Sequence, residues 1–298
     1  MTEVLKPKLR KRRRLNSLLG LALDGSRLEG VVLRRSNGSL QVQQTFCVSL
    51  SLDPLTADAE LVGREIRNHL EAAGVRERHC VLGVPLRWVL TTHVEVPELP
   101  EADIASFLQI EAEQGFPCDP ATLQTSSSRC ALGSGKQYAL LAGIPQGHLA
   151  ILERALRAAK LKPASFSLGI TGLQHPRTGS PKGTLALMIG ETHVGLQITC
   201  GGGVAALRAL EGALEVEGGR RSLRADVVAR ETRITLGQLP ASLRESVERI
   251  RIFGPRDLAQ QLADEMELRL ESAGLKVELA TQYPASEFSL QLPADAGV

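Results

Sequence analysis

Short apolar runs alternate with stretches of helical spacing along this chain, in an order typical of an α/β protein. The first three apolar runs span residues 18–23, 28–33 and 41–50. Asp-Gly-Ser and Asn-Gly segments separate these runs and favour tight turns, so the pattern predicts three antiparallel strands. Apolar positions at helical spacing over 61–73, followed by a compact apolar run at 79–84, predict a helix and a further strand. The chain is therefore predicted to open as β-β-β-α-β.

The pattern then predicts a second group of elements and, after a break, a second opening of the same kind. The second group has strands over 88–96, 123–131 and 137–144, helices over 101–114 and 146–161, and a short strand at 166–168. Residues 175–183 are rich in Pro, Gly, Ser and Lys, which is typical of a linker. A strand–turn–strand pattern returns over 184–200, so we expect two similar α/β halves.

The second half continues with a mixture of helices and strands. Residues 204–210 are predicted as a strand or a short helix, 223–236, 242–247 and 257–273 as helices, and 250–253 and 277–279 as strands. Residues 287–298 show little periodicity, which predicts a loose tail.

The composition supports a globular protein with more than one domain. Its 298 residues are 43% apolar and 23% charged, which excludes a disordered chain. No apolar run approaches the roughly 20 residues that a membrane-spanning helix needs, and no signal-peptide pattern follows the basic start. We therefore expect a cytoplasmic protein.

Positive charge is concentrated at the N-terminus. Residues 1–14 hold seven Lys or Arg and one acid, and the net charge of +2 for the whole chain leaves the remainder at −4. The basic residues 6–14 could bind an anionic membrane surface or nucleic acid. The third alternative is a tail that only increases solubility. Few aromatic residues and no recognisable reading helix argue against specific nucleic-acid binding.

Other candidate chemistry is weak. The five cysteines contain no CxxC pair and the six histidines share no ligand spacing, so neither a metal site nor a disulfide framework is predicted. The glycine triplet 201–203 and the Gly-Ser-Gly-Lys segment 133–136 lack the helix that follows a P-loop, and we read them as turns. No GxSxG elbow surrounds Ser26, which excludes the common serine nucleophile motif.

Several segments resemble one family in the same order along the chain. LGLALDGSRLEGVVL (19–33) resembles the first phosphate loop of the actin-like superfamily in its PilM version, and VEVPELPEADIASFLQIEAEQGFP (94–117) closely resembles the strand, turn and helix of PilM-like proteins. Weaker matches are VLGVP (81–85), LLAGIPQGHLAILERALRAAKLKPA (140–164), the second phosphate loop at 185–196 and the adenosine region at 250–262. The likeness covers about residues 18–280.

This resemblance implies an α/β, two-lobed actin-like (ribonuclease H-like) fold with a subdomain inserted in the first lobe. The implied parts are a basic tail (1–17), a first lobe (18–174) with the inserted subdomain at about 91–165, a linker (175–183), a second lobe (184–282) and a loose tail (283–298). PilM-like proteins are cytoplasmic scaffolds that dock on the cytoplasmic tail of a PilN-like inner-membrane protein. The resemblance thus implies a location peripheral to the inner membrane, with a partner groove on the first lobe that we expect near residues 91–117.

The nucleotide loops depart from the family pattern. They supply the candidate binding residues Asp24, Gly25, Ser26, Gly190 and Gly254. In one register, which we favour, Ala22 takes the place of the family's first magnesium-organising Asp, whereas in the other Asp24 is that residue and the turn is shortened. Met188 stands where the second Asp belongs, and a thioether cannot organise magnesium-bound water. Gly254-Pro255 replaces the usual Gly-Gly pair, and proline removes a backbone donor.

We therefore expect a vestigial nucleotide cleft, with no catalytic residues and no resident cofactor. Two alternatives stay open. The first is an active actin-like ATPase or sugar kinase that uses Asp24 and Mg-ATP. The second is an adaptor whose basic tail does the binding while the actin-like body is only a support.

Overall fold

The computed structural model describes residues 16–36, 39–131, 135–173, 182–217, 220–270, 274–280 and 290–291. The strands are β1 (Ser17–Asp24), β2 (Arg27–Ser36), β3 (Ser39–Ser49), β4 (His79–Val84), β5 (Leu90–Val96), β6 (Leu123–Ala131), β7 (Gln137–Pro145), β8 (Lys162–Leu168), β9 (Gly183–Ile189), β10 (Val194–Cys200), β11 (Gly203–Leu210), β12 (Leu214–Glu217), β13 (Arg220–Leu223), β14 (Val247–Phe253), β15 (Lys276–Leu279) and β16 (Leu290–Gln291). The α-helices are α1 (Ala59–Ala72), α2 (Glu101–Gly115), α3 (Gln146–Ala158), α4 (Ala225–Gln238), α5 (Ala241–Ser246) and α6 (Arg256–Leu270).

The first lobe is a six-stranded sheet in the order β16-β3-β2-β1-β4-β8. Strands β1, β2 and β3 form the predicted antiparallel meander, and β4 and β8 continue the sheet parallel to β1. Helices α1 and α3 pack against each other and bury apolar residues such as Leu70 and Leu156 with the strand residues Leu19 and Leu82. Gly63 permits this close packing, because a Cβ there would lie 2.4 Å from the Cβ of Ala158. The predicted β-β-β-α-β opening is confirmed.

The inserted subdomain is a separate three-stranded antiparallel sheet in the order β5-β7-β6. Helix α2 covers one face of it and buries Ile104, Leu108 and Ala112 there. The subdomain occupies Leu90–Pro145, so it ends about twenty residues before the expected residue 165. The difference arises because α3 joins the core of the first lobe and β8 pairs with β4.

The second lobe has a five-stranded sheet in the order β11-β10-β9-β14-β15, with β9, β10 and β11 antiparallel and β14 and β15 parallel to β9. Its internal strand β10 is buried along its whole length, and helices α4, α5 and α6 complete the core. Residues 204–210 are strand rather than helix. The β12–β13 hairpin was not predicted.

Only parts of the terminal and linker predictions fall on described residues. Of the basic tail 1–17, the structure describes Asn16 and Ser17, and Ser17 begins β1. Of the linker 175–183, it describes Lys182 and Gly183, and Gly183 begins β9. The prediction of a loose tail does not hold for Leu290 and Gln291, which pair with β3. None of the described helices has both the length and the apolar character that a bilayer crossing requires.

Candidate functional site

Two hairpins, one from each lobe, face each other. In the first hairpin, Asp24 pairs with Arg27 across the two-residue turn of Gly25 and Ser26. Gly25 has a φ of 61°, and a positive φ at the first turn position is what glycine allows without steric cost. In the second hairpin, the N–H of Gly190 donates to the carbonyl of residue 193 at 3.1 Å, which leaves a two-residue turn as well.

The two hairpins are therefore equivalent position by position. Gly190 in the second hairpin corresponds to Asp24 in the first, because each residue begins the turn. Counting back two residues, Met188 corresponds to Ala22. This equivalence agrees with the favoured register, in which Ala22 takes the place of the family's Asp and Asp24 stands where the second hairpin has Gly190.

The carboxylate of Asp24 connects the two hairpins. Its Oδ2 accepts a hydrogen bond from the backbone N–H of Glu191 at 2.6 Å, and its Oδ1 accepts one from the Thr192 hydroxyl at 2.6 Å. The approach is so close that a Cβ at Gly190 would lie 2.3 Å from Oδ2 of Asp24. A Cβ at Gly25 would lie 2.8 Å from the Thr192 methyl group. Both turns thus need glycine for the loops to touch.

Ion pairs add to this contact. The carboxylate of Glu191 binds the Arg27 guanidinium of the first lobe and, at 3.0 Å, that of Arg221 in the second lobe. Arg27 also pairs with Glu29 at 2.7 Å. Burial acts to lower the pKa of Arg27, but the carboxylates of Glu29 and Glu191 outweigh it and the pKa is raised. We call Asp24, Arg27, Glu191 and Thr192 the interloop latch.

His193 lies directly behind the latch and is 5% exposed. Its Nδ1 is 3.0 Å from the hydroxyl oxygen of Thr192. Because the Thr192 hydroxyl proton is donated to Asp24, the hydrogen of this second bond must come from Nδ1. Burial lowers the pKa of His193, and Arg87 lowers it further, although Asp24 acts in the opposite direction. The neutral imidazole is therefore the favoured form.

In the favoured register, apolar side chains take the two positions at which the resemblance places magnesium-organising carboxylates. Ala22 lies exposed beside the first hairpin. Met188 packs against an apolar cluster between the lobes whose buried members include Leu86, Ile170 and Val204. The described residues contain no group of three or more His, Cys, Asp or Glu arranged to hold a metal ion.

The structure brings together three of the five predicted nucleotide residues, Asp24, Gly25 and Gly190. Ser26 is exposed at the turn, and its carbonyl accepts a hydrogen bond from the N–H of residue 50 at 2.7 Å. Gly254 has a φ of 144° and packs on the backbone of Ile189, where a Cβ would meet that residue's Cβ at 2.7 Å.

Sequence reasoning missed the partners of Asp24 in the second lobe. These partners are Glu191, Thr192 and His193, and Arg221, which pairs with Glu191, was missed as well. The available signal was the polar Glu-Thr-His run directly after Gly190, between two strands that are almost wholly buried.

This arrangement does not fit Mg-ATP. A nucleotide's phosphates need the N–H groups of both turns and a metal held by carboxylate-ordered water. Here the carboxylate of Asp24 already takes the Glu191 N–H and the Thr192 hydroxyl, and Met188 offers no oxygen.

A groove of about 830 Å³ lies elsewhere, between the inserted subdomain and the first lobe, and Val204 and Leu207 of β11 in the second lobe also line it. Polar residues 124–128 of β6 form one wall, and Phe166 and Leu168 of β8 form the other. Helix α3 contributes Leu149 and Ala150 to its floor. Both β6 and β8 are edge strands of their sheets in the described structure, but the second lobe covers the last part of β6, since the N–H of Ala131 donates to the carbonyl of Gly201 at 2.9 Å. The edges without a neighbouring strand beside the groove are therefore β8 and the first part of β6.

The groove differs from the expected position of the partner site. No residue of 91–117 lines it, because β5 and α2 lie on the far side of β7 or on the opposite face of the small sheet. Two edge strands beside an apolar floor suit a peptide in extended conformation, which would add a strand to either edge.

Two lobes with equivalent hairpins that face each other, and a small subdomain inserted in the first lobe, define the two-lobed actin-like fold that the sequence resemblance implied. The predicted fold class is confirmed by solved structures. The chain is similar to a structure described as a PilM-PilN type IV pilus biogenesis complex, with a TM-score of 0.70 and 19% identity over 94% of this chain and 91% of the other. It is also similar to the cytoplasmic domain of EpsL, an inner membrane component of the type II secretion system of Vibrio cholerae, with a TM-score of 0.51 and 14% identity over 85% of this chain and 94% of the other.

Matches at these levels of identity establish a shared fold. No protein-family model matches the chain, and no curated protein matches it at the level of sequence.

Proposed function

We propose that this chain is a non-catalytic scaffold of a type IV pilus or type II secretion-like inner-membrane assembly. In this role it works in the cytoplasm, peripheral to the inner membrane, and binds the cytoplasmic tail of a PilN-like membrane protein. The observation that carries the proposal is the contact between Asp24 and the second hairpin, which uses the groups that a nucleotide phosphate would need.

The lack of ATPase activity in this proposal follows from charge and geometry. Phosphoryl transfer depends on neutralising charge on the phosphates and on positioning them, and the metal does much of both. Ala22 and Met188 supply no oxygen at the two positions where carboxylates would order the metal's water. Asp24 adds negative charge at the turn itself, which repels an incoming phosphate.

The scaffold role is supported by the groove and by the likeness in fold to the PilM-PilN complex. In this chain the groove combines apolar floor residues with the edge of β8 and the first part of the edge of β6, which no other described strand covers. These are the features by which a sheet edge binds an extended tail, since backbone hydrogen bonds give affinity and side-chain pockets give specificity.

The first experiment is isothermal titration of the folded protein with Mg-ATP and Mg-ADP. We expect no heat of binding with nucleotide up to about 1 mM, a level at which even weak sites of about −4 kcal/mol are half occupied. Binding at lower concentrations would overturn the vestigial-cleft proposal. It would favour the active ATPase, with Asp24 as its carboxylate.

A second experiment tests the groove with a synthetic peptide of the PilN-like partner's cytoplasmic tail. Ala150→Arg places a long charged side chain on the groove floor, at an exposed position of α3. Ala105→Arg is the matched control, because Ala105 is an exposed alanine on α2 within the region 91–117. We expect the first variant to weaken peptide binding by about tenfold or more, which is about 1.4 kcal/mol, and the second to leave it unchanged. The reverse result would place the partner on the α2 side.

A further inference from the structure

Basic residues collect at the end of the first-lobe sheet that lies opposite the hairpin loops. Strands β1, β4 and β8 are parallel and all begin at this end. The end of β2 is there too, since Arg34 pairs with Ser17 and the N–H of Arg35 donates to the carbonyl of Asn16 at 2.8 Å. The cations at this end are Arg34, Arg35, Arg76, Arg78, Lys160 and Lys162, which we call the basic face.

The members of the basic face come from three separate segments, the end of β2 and the starts of β4 and β8, which the sheet places at one end. The N–H of Lys162 donates to the carbonyl of Arg78 at 2.7 Å, which joins the start of β8 to the start of β4. Neighbouring strands lie about 4.8 Å apart, so the row from β2 to β8 spans about 14 Å. The six cations are thus close enough to act on one anionic surface, because the separation is comparable to the screening length at physiological salt.

These cations are available to a partner. Five of the six are exposed, and Arg78 is half-buried. Within the described part of the chain, none of the six forms a salt bridge with an acidic side chain. One guanidinium nitrogen of Arg78 is buried and has no hydrogen-bond partner among the described residues.

Among the described residues, the acids Glu71 and Glu77 lie at the same end and offset only part of the positive charge. Glu77 accepts hydrogen bonds from the Ser17 hydroxyl and from the backbone N–H groups of Arg78 and His79. Burial acts to raise the pKa of Glu77, but these hydrogen bonds outweigh it and the pKa is lowered. Glu71 lies 3.9 Å from Arg67 on its own helix. Counted with formal charges, six cations against these two acids leave the described part of this end positive.

The basic N-terminal segment joins the chain at this face. Residues 1–14 hold seven Lys or Arg and one acid, and they lead directly into Asn16 and Ser17, at the start of β1. This segment lies outside the described residues, and its sequence has a net charge of +6.

We propose that the basic face binds an anionic lipid bilayer, with the hairpin loops directed away from the membrane. A membrane is favoured over nucleic acid because the face is the end of a sheet. It presents no helix that could enter a groove, and aromatic residues, which stack on bases, make up only 3% of the chain. Membrane binding of this kind rests on the proposed location at the inner membrane and deepens it, and it does not depend on the peptide groove.

The test is flotation of the protein with lipid vesicles. One set of vesicles contains phosphatidylcholine alone, and in the other phosphatidylglycerol replaces about a third of the lipid. Both are used at about 50 mM and about 300 mM salt. The face variant combines Arg34→Gln, Arg76→Gln and Lys162→Gln. The control combines Arg64→Gln, Arg244→Gln and Arg256→Gln, which change three exposed arginines away from the face. Both sets are made in the full chain and in a chain without residues 1–14, and circular dichroism checks their folding.

We expect binding only to the anionic vesicles and weaker binding at high salt. Each cation near the surface contributes about fivefold, so the face variant should bind about a hundredfold more weakly than the control in the chain without residues 1–14. Equal losses in the two variants would overturn the proposal, since net charge alone would then account for the binding. No vesicle binding by the truncated chain would also overturn it, by assigning the interaction to residues 1–14.

Two further measurements distinguish membrane binding by the face from nucleic-acid binding and from binding of the peptide partner. Titration of the same variants with duplex DNA and with single-stranded RNA must give weaker binding than the anionic vesicles. A tighter, face-dependent affinity for either nucleic acid would overturn the membrane assignment. Binding of the PilN-like tail peptide should be unchanged in the face variant. If peptide binding fails while vesicle binding persists, the proposed scaffold partner is wrong and the membrane face stands.

Discussion

The bond between Asp24 and Thr192 allows a quantitative test of the interloop latch. The test is a double-mutant cycle with Asp24→Ala, Thr192→Val and the double variant. A hydrogen bond to a charged group is worth about 1.5–3 kcal/mol, and Asp24 accepts two from the second hairpin. The side chain of Asp24 is 26% exposed, so water replaces part of this loss. We therefore expect Asp24→Ala to lower the free energy of unfolding by about 2–4 kcal/mol.

The coupling between the two side chains is the decisive quantity. Thr192→Val keeps the shape of the side chain and removes the hydroxyl that bonds Oδ1 of Asp24. Each single variant counts this bond once, so the double variant should be about 1–2 kcal/mol more stable than the sum of the two losses predicts. The measurement is urea unfolding at neutral pH. The control is Glu98→Ala, an exposed carboxylate, which should change the free energy by at most about 0.5 kcal/mol.

A coupling energy below about 0.3 kcal/mol would refute the reasoning, because independent residues add to within that margin. Other contacts would then hold the two hairpins together, and the 2.6 Å hydrogen bond from Thr192 to Asp24 would contribute no measurable stability.

Three further predictions concern the same region. Gly190→Ala should lower the free energy of unfolding by about 2 kcal/mol or more, because its Cβ would lie 2.3 Å from Oδ2 of Asp24. Adding Asp24→Ala should restore part of this loss, as measured by thermal or urea unfolding, and purely additive losses would contradict the clash. The pKa of His193 is lowered in the folded protein, so the unfolded state binds a proton first and stability should fall as the pH drops below about 6.5, by at most about 1.4 kcal/mol per pH unit. His193→Gln should flatten that dependence between about pH 6.5 and pH 5, and an unchanged slope would assign it to other groups. Met188→Asp should lower the free energy of unfolding by about 3 kcal/mol or more, because it places a carboxylate against apolar side chains. Met188→Leu should change it by less than about 1.5 kcal/mol. Stabilisation of the aspartate variant by Mg²⁺ would show that a metal site had been restored.

Much of the fold could be predicted because its strands are short apolar runs bounded by glycine and turn residues. The observed β9 and β10 agree with the predicted strands to within one residue. The end of the inserted subdomain was not predictable in the same way. The apolar stripe of α3, with Leu152 and Leu156, shows that the helix packs against something, but periodicity does not tell which of two sheets it covers. The β12–β13 hairpin had a signal, an alternating Leu-Glu-Val-Glu run followed by Gly-Gly, that was not used.

The sequence by itself determined which chemistry the loops lack. Ala and Met have no oxygen to offer a metal whatever the fold around them, so the departure from a magnesium site can be read from positions 22 and 188 once the resemblance is recognised. The alternation of short strands and amphipathic helices likewise determined the two α/β halves, because burial of one face requires that periodicity.

Only the tertiary structure decided what Asp24 does. Its partners lie 167 and 168 residues away along the chain, and local sequence carries no information about contacts at that distance. The groove has the same origin, because β6 and β8 become neighbours only when the inserted sheet packs beside the first lobe. The basic face is built from three separated segments that strand pairing aligns. In each case the site is made by pairing and packing between distant segments, and those depend on the whole core.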